Sequence, residues 1–275
     1  MTCPGVATPA QPFLAAALHH LFPTRPIVVV TENLKAQESV QQDMETWLQI
    51  GRGAKVESRE PEADANNSSL QPSTFDSRPL FYPAWEILPH ENKLPHADVI
   101  SDRLETLVAL STNATLPAHH SRLIVTNVAA LVQKTFAPAD LQQRTRKLIR
   151  GDHTNPLDLV EWLESQGYEP EAQVTQRGEI ALRGGIVDIF PPTSPWPVRL
   201  EFFGDELESL REFDPLTQVS REQITQITLP PAGELGILRA QAQTATGNSA
   251  PLATLLDYLP AETIFLLGEP EQLSL

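Results

Sequence analysis

"EIALRGGIVDIFPPTSPWPVRLEFFGDELESLREF" runs from Glu179 to Phe213. It holds short apolar runs separated by turns: Gly178 to Arg183, Ile186 to Phe190, Val198 to Phe203 and Leu207 to Phe213. Runs of this length, rich in β-branched and aromatic residues, predict strands of an antiparallel sheet. Strand alternation puts Val198, Leu200 and Phe202 on one face, an apolar core face. Arg199, Glu201 and Phe203 fall on the other. In "EIALRGG" the same rule sets Ile180 and Leu182 against Glu179, Ala181 and Arg183. If these strands share a sheet, Arg183, Arg199 and Phe203 lie on one exposed face. Aromatic residues and arginine dominate binding hot spots, so this face reads as a docking surface. A second reading stays open: a Phe covered by a neighbouring domain, with both arginines paired to nearby Glu.

Working upstream, Pro156 to Gln166 has helical periodicity through Leu157, Leu159, Val160, Trp162 and Leu163, which completes an α+β module. Before about Gln143 the pattern is α/β. Phe13 to Phe22 is a predicted helix with Pro12 in its first turn. Pro26 to Thr31 and Leu123 to Thr126 are continuous apolar runs, as in strands buried on both faces. Asn33 caps a predicted helix to about Ile50, with Leu34, Val40, Met44 and Trp47 inward. Lys55 and Val56 suggest a short strand, and residues 60 to 77 a flexible polar insertion. Ala97 to Leu110 is an amphipathic helix, and a short helix runs through Val132. Downstream, Thr228 to Leu235 reads as a linker, Leu252 to Leu259 as a helix and Thr263 to Leu267 as one more buried strand.

The 275 residues suffice for two modest domains. A single cysteine, Cys3, excludes an internal disulfide framework, and no secretory signal or membrane-spanning run is present, so a cytoplasmic protein without a membrane partner is expected. The net charge of −15 argues against holding DNA through its phosphates, which needs a basic surface. Protein partners fit better.

"GVATPAQP" (Gly5 to Pro12) has the length and placement of a phosphate-binding loop, G-x-x-x-x-G-K-[ST]. Ala10, Gln11 and Pro12 stand where that loop needs Gly, Lys and Ser/Thr. Gln11 carries no charge for phosphate oxygens, and Pro12 has no hydroxyl for Mg²⁺. On spacing alone this is either an ordinary loop before a helix or a relic; both argue against nucleotide hydrolysis. His90 and His96, with Glu91 and Asp98, match no common metal-ligand spacing. The adjacent pairs His19-His20 and His119-His120 share no face. Asp205, Glu206 and Glu208 read as a solvated acidic turn.

"RGEIALRGGIVDIFPPTSPWPVRLEFFGDELESLREFDPLTQVS" (Arg177 to Ser220) closely resembles the amino-terminal module of the bacterial transcription-repair coupling factors, the Mfd family. "YPAWEILPHENKLPHADVISDRLETLVAL" (Tyr82 to Leu110) is similar to that family's first domain. The resemblance implies a UvrB-like architecture. A degenerate helicase-type α/β domain with a parallel sheet (1–144) would carry an inserted α+β antiparallel-sheet domain 2 (145–230), followed by the start of domain 1b (231–275). It makes Gly5, Ala10, Gln11 and Pro12 a decayed phosphate loop. It also implies that domain 2 docks UvrA, with Arg183, Arg199 and Phe203 at the family's contact positions.

The family's other implied properties lie outside this sequence. They are ATP and Mg²⁺ in a double-stranded DNA translocase motor, RNA polymerase binding, and masking of the UvrA face by a carboxy-terminal domain. The expectation is therefore a non-catalytic adaptor with no cofactor of its own, an amino-terminal fragment of a longer protein or a truncated reading frame. Two alternatives are an active UvrB-type ATPase that loads on damaged DNA and a purely structural domain.

Overall fold

Two β-branched runs build the centre of the first sheet. Ile27–Thr31 and Leu123–Asn127 are buried at every position, as parallel strands covered on both faces must be. The computed structural model describes residues 6–56, 78–87, 93–112, 122–244 and 252–273. Contacts divide the chain into two units: Met1–Ala84 with Thr115–Val132 and Leu259–Leu275, and Trp85–Ala114 with Gln133–Tyr258. Element labels follow chain order across both.

The first unit contains helices α1 (Gln11–Leu21), α2 (Leu34–Val56) and α4 (Val128–Val132), and strands β1 (Ile27–Thr31), β2 (Leu80–Tyr82), β3 (Leu123–Asn127) and β12 (Ile264–Leu267). The strands run β12-β1-β3-β2, all in parallel. Pro12 sits in the first turn of α1, where its missing N–H leaves no bond unmade. Asn33 Oδ1 accepts the Ala36 N–H at 2.9 Å and starts α2. Ala15, Ile27, Val29, Met44, Leu123 and Val125 form one core. Fully buried Gln37 donates to the Val125 carbonyl and accepts from Asn127, whose Oδ1 caps α4 through the Ala130 N–H.

Several expectations need correction here. Lys55 and Val56 end α2 rather than forming a strand, and the edge strand is Leu80–Tyr82. Trp47 is not inward: it is 40% exposed and meets the Phe13 ring edge-on at 5.0 Å. Its indole lies off the inner stripe of α2, which Gln37, Val40, Met44 and Leu48 make. The polar insertion at 60–77 lies outside the described residues.

The second unit contains α3 (Ala97–Thr112), α5 (Pro138–Gln143), β4 (Arg146–Ile149), α6 (Pro156–Ser165) and β5 (Glu169–Pro170). The strands β6 (Glu179–Arg183), β7 (Ile186–Ile189), β8 (Val198–Phe203) and β9 (Glu206–Phe213) follow. After them come β10 (Ser220–Ile224), β11 (Gln226–Leu229) and α7 (Leu235–Thr244). Six strands form one sheet in the order β10-β9-β8-β7-β6-β5, antiparallel except for the short β5–β6 pairing. The segment expected as a linker is in part strand: Gln226–Leu229 pairs antiparallel with β4. Residues 252–259 form only a short 3₁₀ turn, Leu255–Tyr258, opened by the Thr254 N–H and Oγ1 bonding the Asp257 carboxylate and followed by Pro260, which disfavours helical backbone at residue 259.

Helix α6 shows how local chemistry sets this core. Asn155 accepts the Leu157 N–H at 2.9 Å and Pro156 opens the first turn. At its far end Gly167 takes φ 85°, with Gly167 N–H to Glu164 O and Tyr168 N–H to Leu163 O. That is the Schellman arrangement, which needs a residue without Cβ penalty at that φ. Between the caps, Leu159 and Leu163 pack on Ile180, Val187, Ile189, Val198, Leu200, Leu207 and Leu210 of the sheet. Leu207 and Leu210 are an odd three residues apart. They both face the core because Glu201 pairs with Ser209 while Phe202 pairs with Leu207, which leaves Glu208 as the extra residue of a bulge.

A buried ionic cluster holds the rest of this unit. Arg103 and Glu234 are both fully buried. Arg103 donates to Glu234 through Nε at 2.8 Å and Nη2 at 3.1 Å. Trp85 Nε1 and Thr135 Oγ1 donate to the same carboxylate at 3.1 and 2.7 Å. The guanidinium lies 4.5 Å from the Trp85 ring centre.

Candidate functional site: a charged face of the antiparallel sheet

The side of the sheet away from α6 carries the residues that alternation had grouped. Asp188 stands opposite Ala181 on one side and opposite Arg199 on the other. Its side chain is 1% exposed. Arg199 grips it with two prongs, Nε to Oδ1 at 2.7 Å and Nη2 to Oδ2 at 2.8 Å. Arg183 Nη2 reaches Oδ2 at 2.6 Å. Two guanidiniums thus share one buried carboxylate. Such charge-assisted, bidentate pairing is short and directional.

The two arginines differ in what they leave open. The Arg199 side chain is 19% exposed, and its guanidinium lies 4.8 Å from the ring centre of buried Phe213. The hydrogen bonds it donates to Asp188 push its pKa up, desolvation opposes that rise, and the charges of Asp188 and Glu201 add to it. Arg199 is a fixed cation. Arg183, with a side chain 51% exposed, spends one N–H on Asp188 and turns the rest toward solvent.

Phe203 ends β8 and is 75% exposed. It pairs with Glu206 across a two-residue loop in which Gly204 takes φ 62°. Arg183 ends β6 at the same end of the strands, since Arg183 pairs with Ile186 and Ile186 with Glu201. The Gly184-Gly185 turn that follows it lies against β8, with the Phe202 N–H donating to Gly185 O at 2.8 Å. A Cβ on Gly185 would come within 2.8 Å of Phe202 O. Glu201, on the same face, accepts from Ser209 Oγ at 2.6 Å and Arg211 Nη2 at 2.5 Å. Beyond it lies an open depression of about 550 Å³, lined by Arg150, Glu201, Glu206, Glu208, Ser209 and Arg211.

The structure therefore resolves part of the open sequence reading. Both arginines are paired, to Asp188 rather than to a Glu, and Phe203 is exposed. Asp188 is the residue that sequence reasoning missed. Its signal was one acid inside the apolar run "GIVDIF", on the alternation that carries the basic side chains.

The degenerate phosphate-loop candidates sit in the first unit. Gly5 lies outside the described residues. Ala10 closes a 3₁₀ turn (Thr8–Ala10) and Gln11 and Pro12 begin α1. Gln11 Nε2 and Thr8 Oγ1 donate to Glu269 Oε1 at 3.1 and 2.6 Å. A carboxylate of the chain itself thus lies at the start of α1, where a phosphate loop would present N–H groups to an anion. Gly268 is packed so closely that a Cβ would meet Gln11 Oε1 at 2.9 Å. His96 and Asp98 form a 3.3 Å pair with both side chains exposed, and His90 and Glu91 lie outside the described residues. Among the described residues no group of three His, Cys, Asp or Glu is placed to hold a metal, and no helix is long and apolar enough to cross a membrane.

Residues 147–235, which hold this sheet, match the UvrB interaction domain family. The chain is 32% identical to the transcription-repair-coupling factor of Haemophilus influenzae over 226 residues, 70% of this chain and 19% of that protein. It is 37% identical to that of Escherichia coli over 150 residues, 54% of this chain and 12% of the relative. For Bacillus subtilis the figures are 30% over 237 residues, 84% and 17%. The chain is a homologue of the transcription-repair-coupling factors that carries a UvrB interaction domain, and it spans less than a fifth of each of these relatives.

Proposed function

We propose that this chain is the adaptor region of a transcription-repair coupling factor and recruits the excision-repair protein UvrA through the exposed face of β6 to β9. The observation that carries the reading is the Arg183–Asp188–Arg199 cluster on the sheet whose strand β8 ends in exposed Phe203. Fixed arginines beside an unburied aromatic have the composition and rigidity of an interface hot spot. The match to a UvrB interaction domain supports the same segment, about 145–230, as the docking domain. Arg183 and Arg199 supply forked, charged donors, and Phe203 is the anchor that loses its exposed area on binding.

Polymerase displacement, ATP-driven translocation on double-stranded DNA and masking of the docking face are assigned to the longer relatives, in a cytoplasmic setting. This chain acts without a cofactor: Gln11 is engaged with Glu269, whose charge opposes a phosphate at the start of α1. The test is calorimetry with purified UvrA. Arg183→Ala, Arg199→Ala and Phe203→Ala each weaken binding by about 1–3 kcal/mol while near-UV circular dichroism stays native. Unchanged affinity in all three removes the assignment.

A further inference from the structure

Asp188 makes no contact a partner could use directly, because its side chain is 1% exposed. Yet the guanidiniums of Arg183 and Arg199 are both tied to it. Resting on the docking reading above, we propose that Asp188 is the positioning residue of that face: it presets both arginines for an acidic side chain of the partner.

Two guanidiniums on one carboxylate leave one positive charge uncompensated. That charge emerges at Arg183, the more exposed of the two, and most of its five N–H donors are unspent. Glu201 does not cancel it, being bonded to Ser209 and Arg211. The partner that fits presents a carboxylate to Arg183 and an apolar pocket to Phe203. An arginine free in solution must be immobilised on binding, at a cost of about two- to twelve-fold in affinity for each side chain. A face whose arginines are already held avoids that cost.

The chemistry of the bridge makes the inference separable from simple charge. All three hydrogen bonds need an acceptor, one at Oδ1 and two at Oδ2. Asp188→Asn keeps the shape but turns one acceptor into an N–H₂ donor facing a guanidinium. At least one arginine is released, while the face gains a unit of positive charge. If charge alone governs docking, Asp188→Asn tightens binding to an acidic partner. If position governs it, the same variant weakens binding.

We expect Asp188→Asn to bind UvrA about ten-fold more weakly. The effect should shrink to within about two-fold in an Arg183→Ala/Arg199→Ala background, because Asp188 acts only through them. A merely structural role would keep its full effect there. Equal or tighter binding by Asp188→Asn, while Arg183→Ala and Phe203→Ala weaken, overturns the positioning role and leaves the docking reading standing. No loss in any of these variants instead removes the docking reading. Should Asp188→Asn not fold, side-chain relaxation of the unmodified chain decides. An Arg199 Nε–H order parameter near 0.85 in the free protein supports preset geometry, and a value below about 0.6 overturns it.

Discussion

Glu234→Ala tests the energetics of the second unit most directly. Glu234 is fully buried and accepts four hydrogen bonds, two from Arg103 and one each from Trp85 and Thr135. Removing the carboxylate strands a guanidinium that has no access to water. Breaking a buried ion pair from one side typically costs about 3–5 kcal/mol. The indole N–H and the threonine hydroxyl lose an acceptor as well, which places the expected loss at the upper end of that range. Such a loss is a large share of a total stability of about 5–15 kcal/mol. In urea it moves the midpoint down by roughly 2 M, taking a slope of about 2 kcal/mol per M. The double variant Arg103→Met/Glu234→Leu removes both charges and should recover most of the loss, though Trp85 and Thr135 remain unpaired. The measurement is urea unfolding followed by far-UV circular dichroism for Glu234→Ala, for the single variants Arg103→Met and Glu234→Leu, and for the double. A loss under about 1 kcal/mol for Glu234→Ala at unchanged slope refutes the reasoning. So does a double variant whose loss equals the sum of the singles.

Gly167→Ala must take φ 85° with a Cβ 2.7 Å from Gly233 N, and is expected to lose about 2–4 kcal/mol in a thermal or urea melt. Tyr168 is buried, and its hydroxyl donates to Pro230 O at 2.8 Å; Tyr168→Phe should cost about 1 kcal/mol at neutral pH. Desolvation raises the Tyr168 pKa above its usual value near 10. The folded state then holds the proton more tightly than the unfolded one, so this contribution is complete below about pH 10 and falls as pH rises further. Urea midpoints between pH 8 and 11 should show that alkaline decline in the wild type and a smaller one in Tyr168→Phe. Asp214 accepts the Leu216 and Thr217 N–H groups at 2.9 Å, and the bond from Thr217 is the main cause of its lowered pKa. Its support for that loop is present above the usual carboxylate range and lost as pH falls through the lowered value. Asp214→Ala should reduce hydrogen-exchange protection at both amides at neutral pH.

The sheet was legible because its chemistry repeats every two residues. Val198, Leu200 and Phe202 alternate with Arg199, Glu201 and Phe203, so both faces of β8 could be read directly. The α3 helix and the α6 helix were legible for the corresponding reason, apolar residues at helical spacing. What alternation cannot give is the partner across the strand. Asp188 faces Arg199 only because β7 and β8 pair in one register, and nothing in either strand alone states that register. The short strand Gln226–Leu229 was hidden for a similar reason: its partner Arg146–Ile149 lies some eighty residues earlier and neither is long enough to announce itself. Trp47 shows the opposite failure. The spacing that includes Leu34, Val40 and Met44 points Trp47 inward, whereas the inner stripe continues to Leu48 and takes in polar Gln37, whose amide serves Val125 O and Asn127.

The same limit governs where the segment that matches the UvrB interaction domain ends as a physical object. The segment recognisable by family runs from 147 to 235 and so includes Glu234 but not Arg103. Sequence similarity places a boundary where composition changes, whereas folding places it where bonds can be cut without stranding a charge. Arg103 lies in α3, 131 residues away along the chain, and reaches Glu234 through a bidentate bond with no water in between. Thr135 and Trp85, which also lie before residue 147, complete that carboxylate's shell. Glu234 directly follows Gly233, whose backbone packs on Gly167 at the end of α6, the helix that supports the sheet from its inner face. The continuous path from α3 through Glu234 to Gly167 and α6 means that the charged face is supported by residues well outside the recognised segment. The sheet that carries Arg183 and Arg199 thus packs on a helix tied to residues before 147, and buried Asp188 lies between the two arginines.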